Sequence, residues 1–265
     1  MTRLVVVGGG RMGNALVGGL LRSGWIAPGE ITIAERRPDT RRELEERFPG
    51  VEIAGTPVEA ESAVLAVKPQ DAPPACKAMG GYGIRRVVSI VAGVRIADLE
   101  ADLGPAVAVL RAMPNMPAVV GASASALAGG TTASEEDFAW AEAVLSSFGV
   151  VARVAEPLLD AVTGLSGSGP AYVLMLVEAL VEAGVGQGLD REVSRLLTHQ
   201  TLLGTARLLT ELGDPAEELR ARVTSPGGTT AAGVRELERA GFRSALMEAV
   251  DAAASRAREL GRQGH

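Results

Sequence analysis

At 265 residues the chain is long enough to bury a substantial core, as one large domain or two modest ones. Apolar residues make up 47% and charged residues 22%, and a net charge of −6 argues against nucleic acid or an acidic membrane as partner. One cysteine, Cys76, excludes an intramolecular disulfide framework and fits a reducing cytoplasm, while two histidines, His199 and His265, are too few for a His/Cys metal cluster.

The first apolar run, "LVVV", is too short for a signal-peptide core. It predicts a strand buried on both faces, followed by a glycine turn. "NALVGGLLRSG" then sets Ala15, Leu16, Leu20 and Leu21 at helical spacing and closes at Gly24. "EITIAE" predicts a second strand. Further strands are expected at 51–54, 63–67, 86–91, 106–111, 123–128 and 150–154, with helices between most of them. The helix over 134–147 has Ser134 as its cap, ahead of Glu135 and Glu136. This alternation predicts an α/β fold, a Rossmann-type, doubly wound parallel sheet over 1–155. Only "AGTPVEAES" separates Ile53 from Ala63, and a parallel crossover needs roughly ten to twelve residues with its helix. The helix expected there is one turn or absent.

Beyond residue 155 the strand signals stop. Helices are expected over 169–184, 190–212, 229–239 and 242–262, with Pro170 in a first turn and Asp190 as an N-cap. Residues 156–265 therefore read as an all-α domain. Its aliphatic content exceeds one stripe, which predicts burial of the excess against a second subunit. The longest charge-free region, 112–134, is broken by Pro114, Pro117, Gly121, Gly129 and Gly130, so no membrane span is expected. The chain reads as soluble and cytoplasmic.

Gly8, Gly10 and Gly13 form a G-x-G-x-x-G between a strand and a helix. That is the dinucleotide fingerprint: a tight turn, a close approach to pyrophosphate and close helix–strand packing. Past the second strand, Glu35 favours the ribose 2′-hydroxyl of NADH, whereas Arg36 and Arg37 favour the 2′-phosphate of NADPH. The two signals conflict. Lys68, in "LAVKPQD", is one of two lysines against 24 arginines, and it stands at a strand end where ligand loops lie. Ala92 and Gly93, at the next strand end, are small enough for a nicotinamide ring to approach. Arg111 and Asn115 in "RAMPNMP" either shape the cofactor cleft or fix their loop.

"TSPGGTTAAG", 224–233, interrupts the helical half with Pro226, two glycines and two threonines. Together with "GGGRMG" at 8–13, "AVKPQ" at 66–70, "RAMPNMP" at 111–117 and "GLSGSGPAY" at 164–172, it resembles the pyrroline-5-carboxylate reductases. The resemblance spans nearly the whole chain in order. It implies reduction of the cyclic imine 1-pyrroline-5-carboxylate to L-proline by NADPH, with NADH as the alternative donor. It also implies a helical domain that interlocks as a homodimer, with possible assembly to a decamer. On this resemblance Gly8, Gly10, Arg11, Met12, Gly13, Glu35, Arg36, Val67, Lys68, Pro69, Ala92, Gly93 and Asn115 hold the cofactor. Ser225, Gly227, Gly228, Thr229 and Thr230 hold the substrate: the glycine amides, Ser225 and Thr229 at its carboxylate, and Thr230, the catalytic candidate, at the imine nitrogen. The other reading is that a threonine merely caps its helix.

Many relatives carry Asn-Arg where this chain has Glu35-Arg36, which puts strict NADPH use in doubt. The competing functions are reduction of another cyclic imine, a β-hydroxyacid dehydrogenase, and a non-catalytic dinucleotide sensor. The dehydrogenase needs a general base for an alcohol proton, and "GSGPAYVLM" has no lysine to supply it.

Overall fold

The computed structural model describes residues 2–263. His265 lies outside them. β1 (Leu4–Val7) is buried along its whole length and has no polar face to offer water. It therefore sits mid-sheet, in parallel register with β2 (Ile31–Ala34) on one side and β4 (Ser62–Leu65) on the other. With β3 (Glu52–Ala54), β5 (Arg86–Ser89), β6 (Ala108–Met113), β7 (Ser123–Gly129) and β8 (Gly149–Arg153), an eight-stranded sheet forms in the order 3-2-1-4-5-6-7-8.

Strand alternation sorts the side chains into two cores. Leu4 and Val6 join Leu16, Leu20, Leu44 and Phe148 on one face, which α1 (Arg11–Arg22), α2 (Pro38–Arg47) and α5 (Glu135–Ser146) cover. Val5 and Val7 join Cys76, Met79 and Leu99 on the other, beneath α3 (Ala72–Met79) and α4 (Ile96–Leu103). Ser134 caps α5 as expected: its Oγ accepts the Asp137 N–H at 3.3 Å, and Asp137 returns a bond to the Ser134 N–H at 2.9 Å.

The expected all-parallel sheet needs one correction. β7 runs antiparallel to β6, and β8 then pairs in parallel with β7. The nine residues 114–122 between β6 and β7 carry Pro114, Pro117 and a 3-10 turn at Met116–Val120, too short for a crossover helix, so the chain turns back. The β3–β4 link does lack a helix. Its seven residues, 55–61, pass β2 and β1 to reach the far side of β1. Three strand spacings of about 14 Å, with a return of about 10 Å along the parallel strands, come to roughly 17 Å, within the roughly 23 Å that seven extended residues can span.

After α6 (Leu159–Val162) and a π turn at Thr163–Gly167, the chain is helical: α7 (Gly169–Gly186), α8 (Arg191–Leu212), α9 (Ala216–Arg222), α10 (Thr229–Arg239) and α11 (Phe242–Gln263). Asp190 caps α8 through the Glu192 N–H at 2.9 Å. The short α9 was not among the expected helices, because seven residues are too few to show a 3.6-residue period. α7 and α8 meet closely where a Cβ on Gly184 would overlap Ser194 Oγ, and that hydroxyl donates to the Val181 carbonyl at 2.8 Å.

The chain divides into two compact units, Met1–Ser168 with Asp251–His265, and Gly169–Val250. In the second unit Val173, Leu174, Met175, Leu196, Leu197 and Leu203 are exposed. The stretch Glu156–Gly186, of 31 residues, contains an 18-residue window of mean hydropathy 1.4, long and apolar enough to cross a bilayer by length and composition.

Candidate functional site

The glycine turn closes β1 onto α1. Gly8 has φ +109°, and a Cβ there would stand 2.5 Å from the Ala66 carbonyl oxygen, so only glycine fits. A Cβ on Gly13 would overlap the Gly8 carbonyl, which sets how closely helix and strand pack. Gly10 is the N-cap of α1 and supplies no side-chain bond, and no acidic residue stands in the first turn. The first intrahelical bond there is Asn14 N–H to Gly10 O at 2.9 Å, so the Arg11, Met12 and Gly13 amides have no helical acceptor. An uncapped helix start beside a turn without side chains suits a pyrophosphate.

Beside the turn, at the carboxyl ends of β1, β2 and β4, lies a cleft of about 400 Å³. Of the expected cofactor residues it gathers Gly8, Gly10, Glu35, Arg36, Val67 and Lys68. Arg11 lines an adjoining groove between α1 and α2, where Arg22, Arg37 and Arg47 also stand. Met12, Gly13, Pro69, Ala92, Gly93 and Asn115 line neither. Glu35 is 8% exposed; its Oε2 accepts the Gly9 N–H at 3.0 Å, and its Oε1 accepts the Arg37 N–H at 2.9 Å and Nε–H at 3.2 Å. Burial pushes the carboxyl's pKa up, but the bonds from Arg37 and Gly9 outweigh it and hold it below the usual carboxylate range. Arg36 reaches Asp71 Oδ1 at 2.6 Å.

Asn115 is directed inward. Its Oδ1 accepts the Ala124 N–H at 2.9 Å, and its Nδ2 donates to the Ser166 carbonyl at 3.0 Å. It pins the turn between β6 and β7. Arg111 is also buried and donates to Glu156 Oε1 at 3.0 Å; the same oxygen accepts the Ile96 N–H at 2.7 Å. Glu156 thus caps α4 from 60 residues away and ties the Ala92–Gly93 turn to β6. Gly93 has φ +77°, and the Gly261 backbone near the end of α11 lies 3.9 Å from where its Cβ would stand.

Sequence reasoning passed over Asp71, Gly9 and Glu156. Asp71 directly follows "AVKPQ" and Gly9 lies inside the fingerprint, so both were within reach. Glu156 carries no local signal, because its partners are 45 and 60 residues distant.

In the second unit, α9 ends at Val223 and the chain turns through Gly227, whose φ is +72°. Gly228, not a threonine, is the N-cap of α10, with no side-chain bond. Its N–H bonds the Ser225 carbonyl at 3.0 Å, and its carbonyl accepts the Ala232 N–H at 3.2 Å. Thr229 and Thr230 are the first two residues of the helix, both exposed, and neither hydroxyl makes a hydrogen bond among the described residues. The capping explanation for the double threonine therefore fails, and the start of α10 presents free amides and two free hydroxyls together.

Residues 156–260 match the family described as pyrroline-5-carboxylate reductase dimerisation, and residues 3–93 match NADP oxidoreductase coenzyme F420-dependent. A pyrroline-5-carboxylate reductase of Mycobacterium tuberculosis is 43% identical, covering 98% of this chain and 97% of that protein. One from Arabidopsis thaliana is 40% identical over 96% of this chain and 94% of its own. A solved pyrroline-5-carboxylate reductase from Coxiella burnetii superposes with a TM-score of 0.91 at 35% identity, covering 98% of each chain. The Plasmodium falciparum pyrroline carboxylate reductase, solved with NADP bound, gives 0.84 at 28% identity, again over 98% of each.

Proposed function

The chain belongs to the pyrroline-5-carboxylate reductase family, and from that premise we propose how it reduces 1-pyrroline-5-carboxylate to L-proline, the last step of proline biosynthesis. The observation that carries the assignment of roles is the start of α10, where Gly228 leaves the amides and both threonine hydroxyls unused. The substrate offers a carboxylate and a ring imine. The amides beside Gly227 and Gly228, with Ser225 and Thr229, hold the carboxylate as helix starts hold anions. The Thr230 hydroxyl bonds the imine nitrogen and orients the ring.

NAD(P)H, when bound, would supply a hydride to the carbon of the imine already protonated from solvent, whose C=N electron pair then stays on nitrogen as the amine lone pair. Gly8, Gly10, Arg11, Met12 and Gly13 would seat its pyrophosphate, Val67 and Lys68 would line its course with Pro69 behind them, and the small residues Ala92 and Gly93 would leave room for the ring. Asn115 acts by fixing its loop. A protonated imine is already electrophilic, so positioning, worth up to roughly 7–11 kcal/mol in favourable cases, replaces a strong acid.

The functional division falls at 155/156, with the dinucleotide-binding part before it and the substrate and dimerisation part, 156–265, after it. The exposed Leu174, Met175, Leu196 and Leu197 support burial against a second copy, and that burial accounts for the apolar 156–186 stretch without a membrane. The homodimers assemble into decamers, and the enzyme works in the cytoplasm with no nucleic-acid or membrane partner. Light scattering that returned a monomer at micromolar concentration would remove the assembly.

The test of function is loss of reduced-nicotinamide absorbance, with NADPH and NADH in parallel, with and without 1-pyrroline-5-carboxylate. Oxidation that depends on the imine is expected. Binding of the dinucleotide without any imine-dependent oxidation would leave a sensor as the better account.

A further inference from the structure

Glu35 directly follows β2, where dinucleotide folds place an acidic reader of the ribose. Its carboxylate borders the cleft but is bonded to the glycine turn and to Arg37. A carboxylate offers about four acceptor positions, and three here are filled from within the chain, by the Gly9 N–H and by the Arg37 N–H and Nε–H. A Cβ on Gly9 would stand 2.5 Å from Leu44 Cδ1 and 3.3 Å from Glu35 Oε2, so turn, carboxylate and α2 pack without slack.

The other side of Gly9 is held as well: its carbonyl accepts Asn14 Nδ2 at 2.9 Å. Both backbone groups of the middle glycine are thus clamped by side chains, Glu35 at the N–H and Asn14 at the carbonyl. That clamp fixes the two peptide planes leading into the uncapped amides of α1. Arg36 lines the same cleft beside Arg37 and Lys68, with its side chain 73% exposed and held by Asp71.

We propose that Glu35 is a positioning residue, which holds the glycine turn in shape for the dinucleotide's pyrophosphate rather than reading its ribose, and so serves NADPH and NADH alike. The proposal rests on the dinucleotide-reductase reading above. It reassigns Glu35 from the NADH signal its position suggests, and it leaves discrimination between the cofactors to the arginines of the turn.

The variants Glu35→Gln and Glu35→Asp test it. Glutamine keeps the shape and loses the charge. Aspartate keeps a ribose reader's chemistry but is one methylene too short to span the Gly9 and Arg37 amides. Each purified protein is titrated separately with NADPH and NADH by nicotinamide fluorescence, at a temperature where circular dichroism shows it folded. In at least one folded variant, both dissociation constants should rise together, by about 10- to 100-fold, with their ratio within threefold of the wild type. A shift of that ratio beyond threefold, or unchanged constants for both cofactors, overturns the proposal. The titration needs no imine, so it is read independently of turnover; failure of the wild type to oxidise either cofactor with 1-pyrroline-5-carboxylate would count against the function and not against the clamp.

Discussion

Two helices of this protein, α1 and α10, begin on a glycine that supplies no side-chain cap. α5 and α8 begin on Ser134 and Asp190, which do. The first pair starts beside the glycine turns to which the proposed mechanism assigns the cofactor and the substrate, and the second pair starts at exposed residues. A cap satisfies the free amides of a helix start, and a bound anion does the same. On the proposed mechanism, the empty caps beside the two glycine turns are the two anion seats.

The two seats differ in their surroundings. The turn at Gly8 is buried between β1, Ala66 and α2, whereas Gly227 has nothing within 4 Å of where a Cβ would stand. Substitution should separate them most sharply here. Gly8→Ala forces a strained φ and a backbone clash, and is expected to cost about 3 kcal/mol of stability and to abolish dinucleotide binding at micromolar concentrations. Gly227→Ala meets only the φ penalty, about 1–2 kcal/mol, with loss confined to the KM for the imine. Urea midpoints and dinucleotide titrations on both variants measure the difference, and equal losses would break the comparison.

Next in size is the hydroxyl at α10. Thr230→Ala should lose about 1–3 kcal/mol of transition-state binding, roughly 5- to 150-fold in kcat/KM. Its thermal midpoint should stay put, since the hydroxyl makes no bond within the described residues. Unchanged kinetics would remove Thr230 from the mechanism. A smaller contrast lies between the capped and uncapped starts. Ser134→Ala should cost about 1 kcal/mol of stability and Thr229→Ala under about 0.5, because Thr229 is inside its helix and caps nothing. Denaturant melts of the two variants side by side would show it.

The last prediction concerns pH and the clamp. The folded carboxyl of Glu35 is held below its unfolded value, so its contribution is present above roughly pH 4.3 and is lost as pH falls through the folded value. The stability gap between the wild type and Glu35→Gln should be constant from neutral to mildly acidic pH and should shrink below that range. A gap that widened in acid would mean the carboxyl is not held charged.

The sequence by itself determined most of the elements and the two glycine turns. Strand and helix positions follow from apolar period, the turns from Gly8, Gly10, Gly13, Gly227 and Gly228, and the cap of α5 from Ser134 ahead of Glu135 and Glu136, because each signal lies within a few residues of the structure it causes. The helix-free 55–61 link was legible for the same reason, since its length alone left no room. Only the tertiary structure decided where side chains between seats go. Glu35 turned to Gly9, Asn115 to Ala124 and Ser166, and Glu156 to Arg111 and Ile96, and the 114–122 link sent β7 back against β6. A carboxylate or an amide bonds whatever partner the fold brings within about 3 Å. Those partners lie from 9 to 60 residues away in the chain, apart from the neighbouring Arg37 that also bonds Glu35, so composition and period could not name them.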